Sequence, residues 1–180
     1  MNIQGKQLFQ VDGPYDLDTY VTFLIDFDHP ECQQVLRSMS CFWMHAPEDD
    51  APLEEHVEHW LKVAAHRAYT LHQREFGLDD VSRLIQVLSH DEGYCALDGS
   101  RGISIVDCCF DEYDSDDFEV QNLPICTCVA CGCTDINACE PQCRWVKVNR
   151  NEGIGLCSQC TDKKDLWLEA IQNKNTGKQS

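Results

Sequence analysis

The chain has 180 residues, 43 % of them hydrophobic and 25 % charged, which is typical of a globular protein with one core of ordinary size and a small appendage. Its charge is uneven: residues 1–125 contain 25 acidic and 7 basic residues, a net −18, whereas residues 126–180 contain 6 and 7, a net +1. So acidic a segment repels the phosphates of nucleic acids and of membranes, which disfavours both as its partners. No apolar run approaches the roughly 18 residues of a membrane span.

The cysteine content bears on the compartment. The first ten residues, MNIQGKQLFQ, are polar and lack the apolar region of a signal peptide, so we expect a cytoplasmic protein. In a reducing cytoplasm, clustered cysteines bind metal more often than they form disulfides. The total of 13 cysteines is odd, which also disfavours a fully paired disulfide set.

Two strands are predicted near the start of the chain, at residues 4–11 and 19–26, around a turn at Gly13-Pro14. Val21, Phe23 and Ile25 recur at every second position, which predicts one buried face of a sheet. Further along, Ile103, Ile105 and Val106 predict a strand that returns to this sheet.

Three helices are predicted between these strands. The first begins after His29-Pro30, with an apolar stripe of Val35, Leu36, Met39 and Phe42-Trp43. The second spans residues 53–76, and its stripe is Val57, Trp60, Leu61, Ala64, Ala68 and Leu71. The third is capped by Asp79-Asp80 and buries Val81, Leu84, Ile85 and Leu88. These elements predict an acidic α+β domain, residues 1–122, in which a small antiparallel sheet packs with about three helices.

This region resembles an uncharacterised family of bacterial and phage proteins, catalogued as domain of unknown function 2528. The residues that match are the strand ending at Asp26, Phe42-Trp43, the alanines of the second helix, Glu92-Gly93-Tyr94, Leu97-Asp98-Gly99-Ser100 and Gly102-Ile103. The resemblance implies a small α+β domain without an assigned activity. It also implies a phage or prophage source, and therefore the cytoplasm of a bacterial host.

Eight cysteines fall within the 35 residues from Cys126 to Cys160. Cys128 and Cys131, and then Cys157 and Cys160, form two Cys-x2-Cys knuckles, each of which can present two thiolates to one ion. Four thiolates at about 2.3 Å close a tetrahedral Zn²⁺ site and leave no open position for catalysis. The sequence therefore predicts a zinc-ribbon-like module over residues 123–172, with a short terminal helix after Thr161 and a disordered tail at 173–180.

The 25 residues between the knuckles exceed the usual spacer and contain Cys139 and Cys143. These two share a face if a helix over 135–139 is capped by Thr134. In one interpretation they are buried or redox-sensitive thiols beside a single zinc. In a second they join a different ligand set, with a second zinc that uses Cys126 or Cys133. A third replaces zinc by an iron–sulfur cluster, and disulfides remain a fourth.

The module also resembles a small zinc-binding motif of phage and bacterial proteins, Cys-x-x-Cys-Gly-x-Thr, Ala-Cys-x-x-x-Cys-x-Trp and Leu-Cys-Ser-x-Cys. The matching residues are Cys128, Cys131, Gly132, Thr134, Ala138, Cys139, Cys143, Trp145, Leu156, Cys157, Ser158 and Cys160. The scattered Cys32, Cys41, Cys95, Cys108 and Cys109 are predicted to be small buried apolar groups.

Two catalytic or metal-binding alternatives involve the second helix. His56-x-Glu58 upstream of Cys128-x2-Cys131 is reminiscent of zinc deaminases, but no proline precedes Cys128 directly and the gap is about 70 residues. His59 and His66 could bind a metal ion together with Glu55. The alternative is that these two histidines are partly exposed helix residues that bind no metal.

The interaction partner follows from charge. Contact with nucleic acid is suggested by a short basic and aromatic stretch, Arg144, Trp145, Lys147 and Arg150. Two points disfavour it: a +1 module beside a −18 domain is a poor DNA binder, and Trp145 also suits the core of the module. The acidic domain, with six acids in residues 111–119, suits a basic protein surface, such as a nucleic-acid-binding host protein. We therefore expect a non-enzymatic, zinc-stabilised interaction protein.

Overall fold

The computed structural model describes residues 3–13, 19–38, 45–74, 80–88, 97–110, 118–141 and 143–177. The chain divides into two compact units, Met1–Asn122 and Leu123–Ser180. Within the described residues, the first unit combines a four-stranded sheet with three helices, and the second combines a three-stranded sheet with one α-helix. The predicted α+β class is confirmed.

The larger sheet contains strands in the spatial order β3-β2-β1-β4. They are β1 (Lys6–Asp12), β2 (Tyr20–Asp26), β3 (Ile103–Cys109) and β4 (Glu119–Leu123). β2 pairs antiparallel with both β1 and β3, and Phe9, Phe23 and Ile105 lie opposite one another across the three strands. The residues with period two, Val21, Phe23 and Ile25, are buried as predicted.

A bulge interrupts the pairing of β2 with β3. Thr22 pairs with Asp107 whereas Phe23 pairs with Ile105, so Val106 is an extra residue without a partner on β2. Val106 is 37 % exposed.

Three helices share one core with this sheet: α1 (Cys32–Ser38), α2 (Leu53–Arg74) and α3 (Val81–Leu88). All six residues of the predicted α2 stripe are buried, and the Trp60 ring meets Phe23 edge-on at 5.7 Å. The backbone N–H of Arg83 donates to Asp80 Oδ1 at 2.9 Å, so Asp80 caps α3. Met39, Phe42-Trp43, Asp79 and most of the acidic run at 111–119 lie outside the described residues.

The second unit contains the smaller sheet, in the order β5-β7-β6, and the helix α4. Its elements are β5 (Thr127–Cys128), β6 (Trp145–Asn149), β7 (Ile154–Cys157) and α4 (Lys164–Gly177). β7 runs parallel to β5 and antiparallel to β6. α4 continues to Gly177, so residues 173–177 are helical and not a tail; no proline interrupts them. In the described part of the chain, no helix has the length and apolar content to cross a bilayer.

Candidate metal centre

The first knuckle is a closed turn at the end of β5. The N–H of Cys128 donates to the Cys133 carbonyl at 2.7 Å, and the N–H of Gly132 donates to the Cys128 carbonyl at 2.9 Å. Gly132 adopts a φ of 75°, in the left-handed region that glycine tolerates best. This turn returns the chain, so that Cys131 and Cys133 lie beside Cys128.

The second knuckle follows β7 at the same edge of the small sheet. Cys157 ends β7, and a 3-10 turn over Ser158–Cys160 begins there. Because β5 and β7 are parallel neighbours, with Cys128 opposite Gly155, both knuckles leave the sheet in the same direction. The two knuckles therefore lie side by side, with Cys131 Sγ 3.7 Å from Cys157 Sγ.

Residues 134–141 of the insert are not helical, which corrects the conditional prediction of a helix capped by Thr134. Thr134 Oγ1 instead accepts from the N–H of Asn137 at 3.1 Å, in a tight turn. Pro141 explains the difference, because proline lacks an N–H and disfavours helix at the residue before it. Cys139 and Cys143 nevertheless meet: the N–H of Cys139 donates to Cys143 Sγ at 3.3 Å.

The structure groups the cysteines into two sets of four that could hold a metal ion. The first set is Cys128, Cys131, Cys133 and Cys157, and the second is Cys133, Cys139, Cys143 and Cys157. Within each set the four Sγ atoms lie within 4.8 Å of one another. The sets share Cys133 and Cys157, so the six sulfurs form one continuous cluster.

Cys160, a predicted ligand, lies outside both sets of four. Its thiol is buried, and it interacts with the thiols of Cys131, Cys157 and Cys128; burial above all, and then these neighbours, raise its pKa. Cys133 was absent from the four ligands expected of the knuckles and appeared only in the alternative with a second zinc. The signal for it is the Cys131-Gly132-Cys133 spacing, because the glycine turn points both cysteines back to Cys128.

Backbone N–H groups stabilise the thiolate form of several of these sulfurs. The N–H of Cys133 is the main reason why the pKa of Cys131 falls to about 6. Burial opposes ionisation of Cys128 and Cys143, yet backbone donors lower both pKa values below the ordinary value of a thiol, and Cys139 supplies the donor to Cys143. The loops thus favour the thiolate at Cys128, Cys131 and Cys143.

Cys126 is the one cysteine of the segment that points away from the cluster. Its Sγ lies 3.8 Å from the Pro124 carbonyl and 4.0 Å from that of Asn149, and burial raises its pKa. Cys126 therefore belongs to the strand packing and not to the metal centre.

The predicted nucleic-acid residues divide into two groups. Trp145 donates from its indole N–H to Asp135 Oδ1 at 2.7 Å, and Arg150 donates to Asp135 Oδ2 at 2.7 Å, so both are engaged inside the module. Arg144 and Lys147 are exposed.

The histidines and acids of α2 do not assemble into a metal set. His56 and His59 are each 4 % exposed, which corrects the expectation of partly exposed histidines for His59. The exposed Glu58 pairs with Lys62 at 2.7 Å, and His66 meets the Phe118 ring edge-on at 6.1 Å. Within the described residues, the sets that could hold a metal contain cysteines alone.

The scattered cysteines are free thiols where the structure describes them. Cys32 and Cys108 are buried as predicted, whereas Cys109 is half-buried. Cys41 and Cys95 lie outside the described residues.

Comparisons of the chain with models of protein families, with characterised proteins and with solved structures find no match. The two family resemblances therefore stay predictions.

Proposed function

We propose that this protein is a non-enzymatic interaction protein whose cysteine module is folded by a structural Zn²⁺ ion. The observation that carries the proposal is the convergence of both knuckles on one site, where Cys128, Cys131 and Cys157 lie within metal-binding reach of one another and Cys160 contacts them. A donor set of thiolates alone suits zinc in tetrahedral geometry. Zinc in such a site supplies cross-links between loops and has no open position for a substrate or water.

The small apolar content of the module supports a structural role for the metal. Apart from Leu156 and Trp167, its fully packed core consists of Cys128, Cys133, Cys157 and Cys160. A unit of this size buries too little apolar surface to fold on packing alone, and metal binding then supplies the missing free energy.

The interaction is assigned to the acidic unit. Its net charge of −18 favours a basic protein surface, and Glu48, Asp49 and Asp50 form an exposed acidic run before α2. With the phage resemblance, this supports an acidic inhibitor of a basic DNA-binding or defence protein of a bacterial host. Direct nucleic-acid binding by the module receives less support, because Trp145 and Arg150 are engaged with Asp135. A zinc hydrolase or deaminase receives less support for a different reason: each candidate set is closed by four cysteines.

Metal analysis of the purified protein tests the first half of the proposal. We expect zinc to copurify with the chain and the amount of zinc per chain to fall in a Cys128→Ser variant. Iron with visible absorption would replace the zinc assignment by an iron–sulfur cluster, and a folded module without any metal would contradict the proposal.

Capture from bacterial lysate tests the second half. We expect basic nucleic-acid-binding proteins to be captured at about 0.1 M salt and released at about 1 M, where the Debye length falls to about 3 Å. The variant Glu48→Gln/Asp49→Asn/Asp50→Asn should capture less of them. The control Asp162→Asn/Asp165→Asn/Glu169→Gln removes the same charge from exposed sites of the other unit and should capture as much as the wild type. Equal capture by both variants would refute the assignment to the acidic unit.

A further inference from the structure

The six cysteines of the two sets, together with the neighbouring Cys160, exceed what one zinc ion can use. A tetrahedral zinc site takes four sulfurs, and the two knuckles already offer Cys128, Cys131, Cys157 and Cys160. Cys133, Cys139 and Cys143 remain, and these three lie within 4.8 Å of one another and of Cys157. The remaining thiols therefore form three corners of a second tetrahedron whose fourth corner is a sulfur of the first.

The distance between a pair of sulfurs in each of the two sets agrees with ligation of a metal ion. Zinc–sulfur bonds of about 2.3 Å place the sulfurs of a tetrahedron about 3.8 Å apart. Cys131 and Cys157 are 3.7 Å apart in the first set, and Cys133 and Cys143 are 3.6 Å apart in the second. A disulfide would require about 2.05 Å, so these pairs are not poised as bonded sulfurs.

The two sets share Cys133 and Cys157, and the knuckles decide between these two as the bridging ligand. Two tetrahedral ions need eight positions, and seven sulfurs fill them when one sulfur bridges. Cys157 belongs to a knuckle and is also the only knuckle cysteine in the second set. Cys126, the eighth cysteine of the segment, is unsuited to the vacant position because its Sγ faces the Pro124 and Asn149 carbonyls. A shared thiolate also gathers fewer negative charges in the module than two separate sites of four would.

We propose that the module binds a second metal ion, also zinc, through Cys133, Cys139, Cys143 and the bridging Cys157, beside the ion held by Cys128, Cys131, Cys157 and Cys160. The insert between the knuckles then has a defined purpose. It supplies Cys139 and Cys143 to an ion that a plain zinc ribbon lacks. This inference rests on the proposed structural zinc, because both ions use the same kind of ligand and one common sulfur.

Native mass spectrometry with metal analysis of the full chain tests the inference. We expect two zinc ions per wild-type chain, one per chain for Cys139→Ser/Cys143→Ser, and two for the control Cys126→Ser, whose sulfur lies outside the cluster. One zinc per wild-type chain would overturn the second site and leave the proposed function standing, whereas no zinc would overturn both. Two zinc ions in Cys139→Ser/Cys143→Ser would overturn the ligand assignment.

Cadmium substitution tests the bridge and does not depend on the folding of any variant. With ¹¹³Cd in place of zinc, two resonances should appear, and each should be split by coupling through the shared sulfur of Cys157. Two resonances without mutual splitting would overturn the bridge, and a single resonance would overturn the second site.

Discussion

The indole N–H of Trp145 and the guanidinium of Arg150 donate to opposite oxygens of the same carboxylate, that of Asp135, each at 2.7 Å. The backbone N–H of Cys126 is a third donor to Asp135. The Asp135 side chain is 6 % exposed, so these donors take the place of water around its charge. Asp135 therefore ties the insert to β6 and to the loop before β7.

Replacing Asp135 by alanine should destabilise the module strongly. The change leaves the mostly buried Arg150 charge and two N–H donors without a partner, which costs about 3 kcal/mol. Asparagine should be nearly as harmful, because its NH₂ group would face donors at one of the two positions where the carboxylate accepts. Denaturant unfolding of the zinc-loaded protein, followed through hydrogen exchange of β6 and β7, measures the loss.

Asp162 provides the matched control for this experiment. It pairs with Lys163 at 3.2 Å, but its side chain is 70 % exposed. An exposed pair contributes about 0 to 1 kcal/mol, so Asp162→Ala should leave the module almost unchanged. Equal effects of the two alanine variants would show that the Asp135 contacts add nothing to stability.

Gly155 on β7 should not tolerate a methyl group. A Cβ at this position would lie 2.4 Å from Cζ3 of Trp145, and the hydrogen bond from Trp145 to Asp135 keeps the ring from moving away. We expect Gly155→Ala to lower the free energy of unfolding of the module by about 1 to 3 kcal/mol, as overpacking does.

A double-mutant cycle with Trp145→Leu isolates this steric effect. The smaller side chain makes room for the methyl group, so Gly155→Ala should cost less in the Trp145→Leu background than in the wild type. The same cost in both backgrounds would place the strain elsewhere in β7.

Most elements of the first unit were predictable because they have a local signal, whereas β4 was not among the predicted strands. Apolar residues at every second position of β2, and at every third or fourth position of α2, predict the buried faces of these elements. Asp80 predicts the start of α3. The burial of His56 and His59 was not predictable in this way. Residues of α2 beside the apolar stripe are also buried, and only the tertiary packing determines this.

The metal centre was predictable only in part, for a similar reason. The Cys-x2-Cys spacing indicates that the two cysteines of each pair can bind one ion, because a tight turn is enough to bring their sulfurs together. The positions of Cys133, Cys139 and Cys143 depend instead on the path of the insert, which Pro141 and the turn at Thr134 set. Pro141 was present in the sequence as a signal against a helix there. That the two cysteine sets share Cys157 is visible only in three dimensions.

Acid should weaken the first unit through His59. Burial, and secondarily the nearby His56, lower the pKa of His59 below its ordinary value. The unfolded chain then binds a proton at a pH where the folded chain does not. The free energy of unfolding should therefore fall as the pH drops below about 6.5, by at most about 1.4 kcal/mol per pH unit for this group.

The variant His59→Leu should flatten this dependence, measured as hydrogen exchange of α2 amides between about pH 7 and pH 5. His45→Leu is the matched control, because His45 is exposed and its substitution removes no buried imidazole. If His59→Leu and the wild type lose protection in parallel, His59 is not the group responsible.

Chelation of the metal should unfold the second unit and spare the first. The core of the second unit is built largely from Cys128, Cys133, Cys157 and Cys160, and removal of the ions breaks the links that hold these sulfurs together. The first unit has an apolar core of its own, in which Phe9, Phe23 and Trp60 are almost fully buried. After treatment with a strong chelator, amides of β6 and β7 should exchange rapidly, while those of β2 and α2 keep their protection, and added zinc should restore the module. Rapid exchange in both units would mean that the first unit depends on the metal, and unchanged exchange in β6 and β7 would mean that the module folds on packing alone.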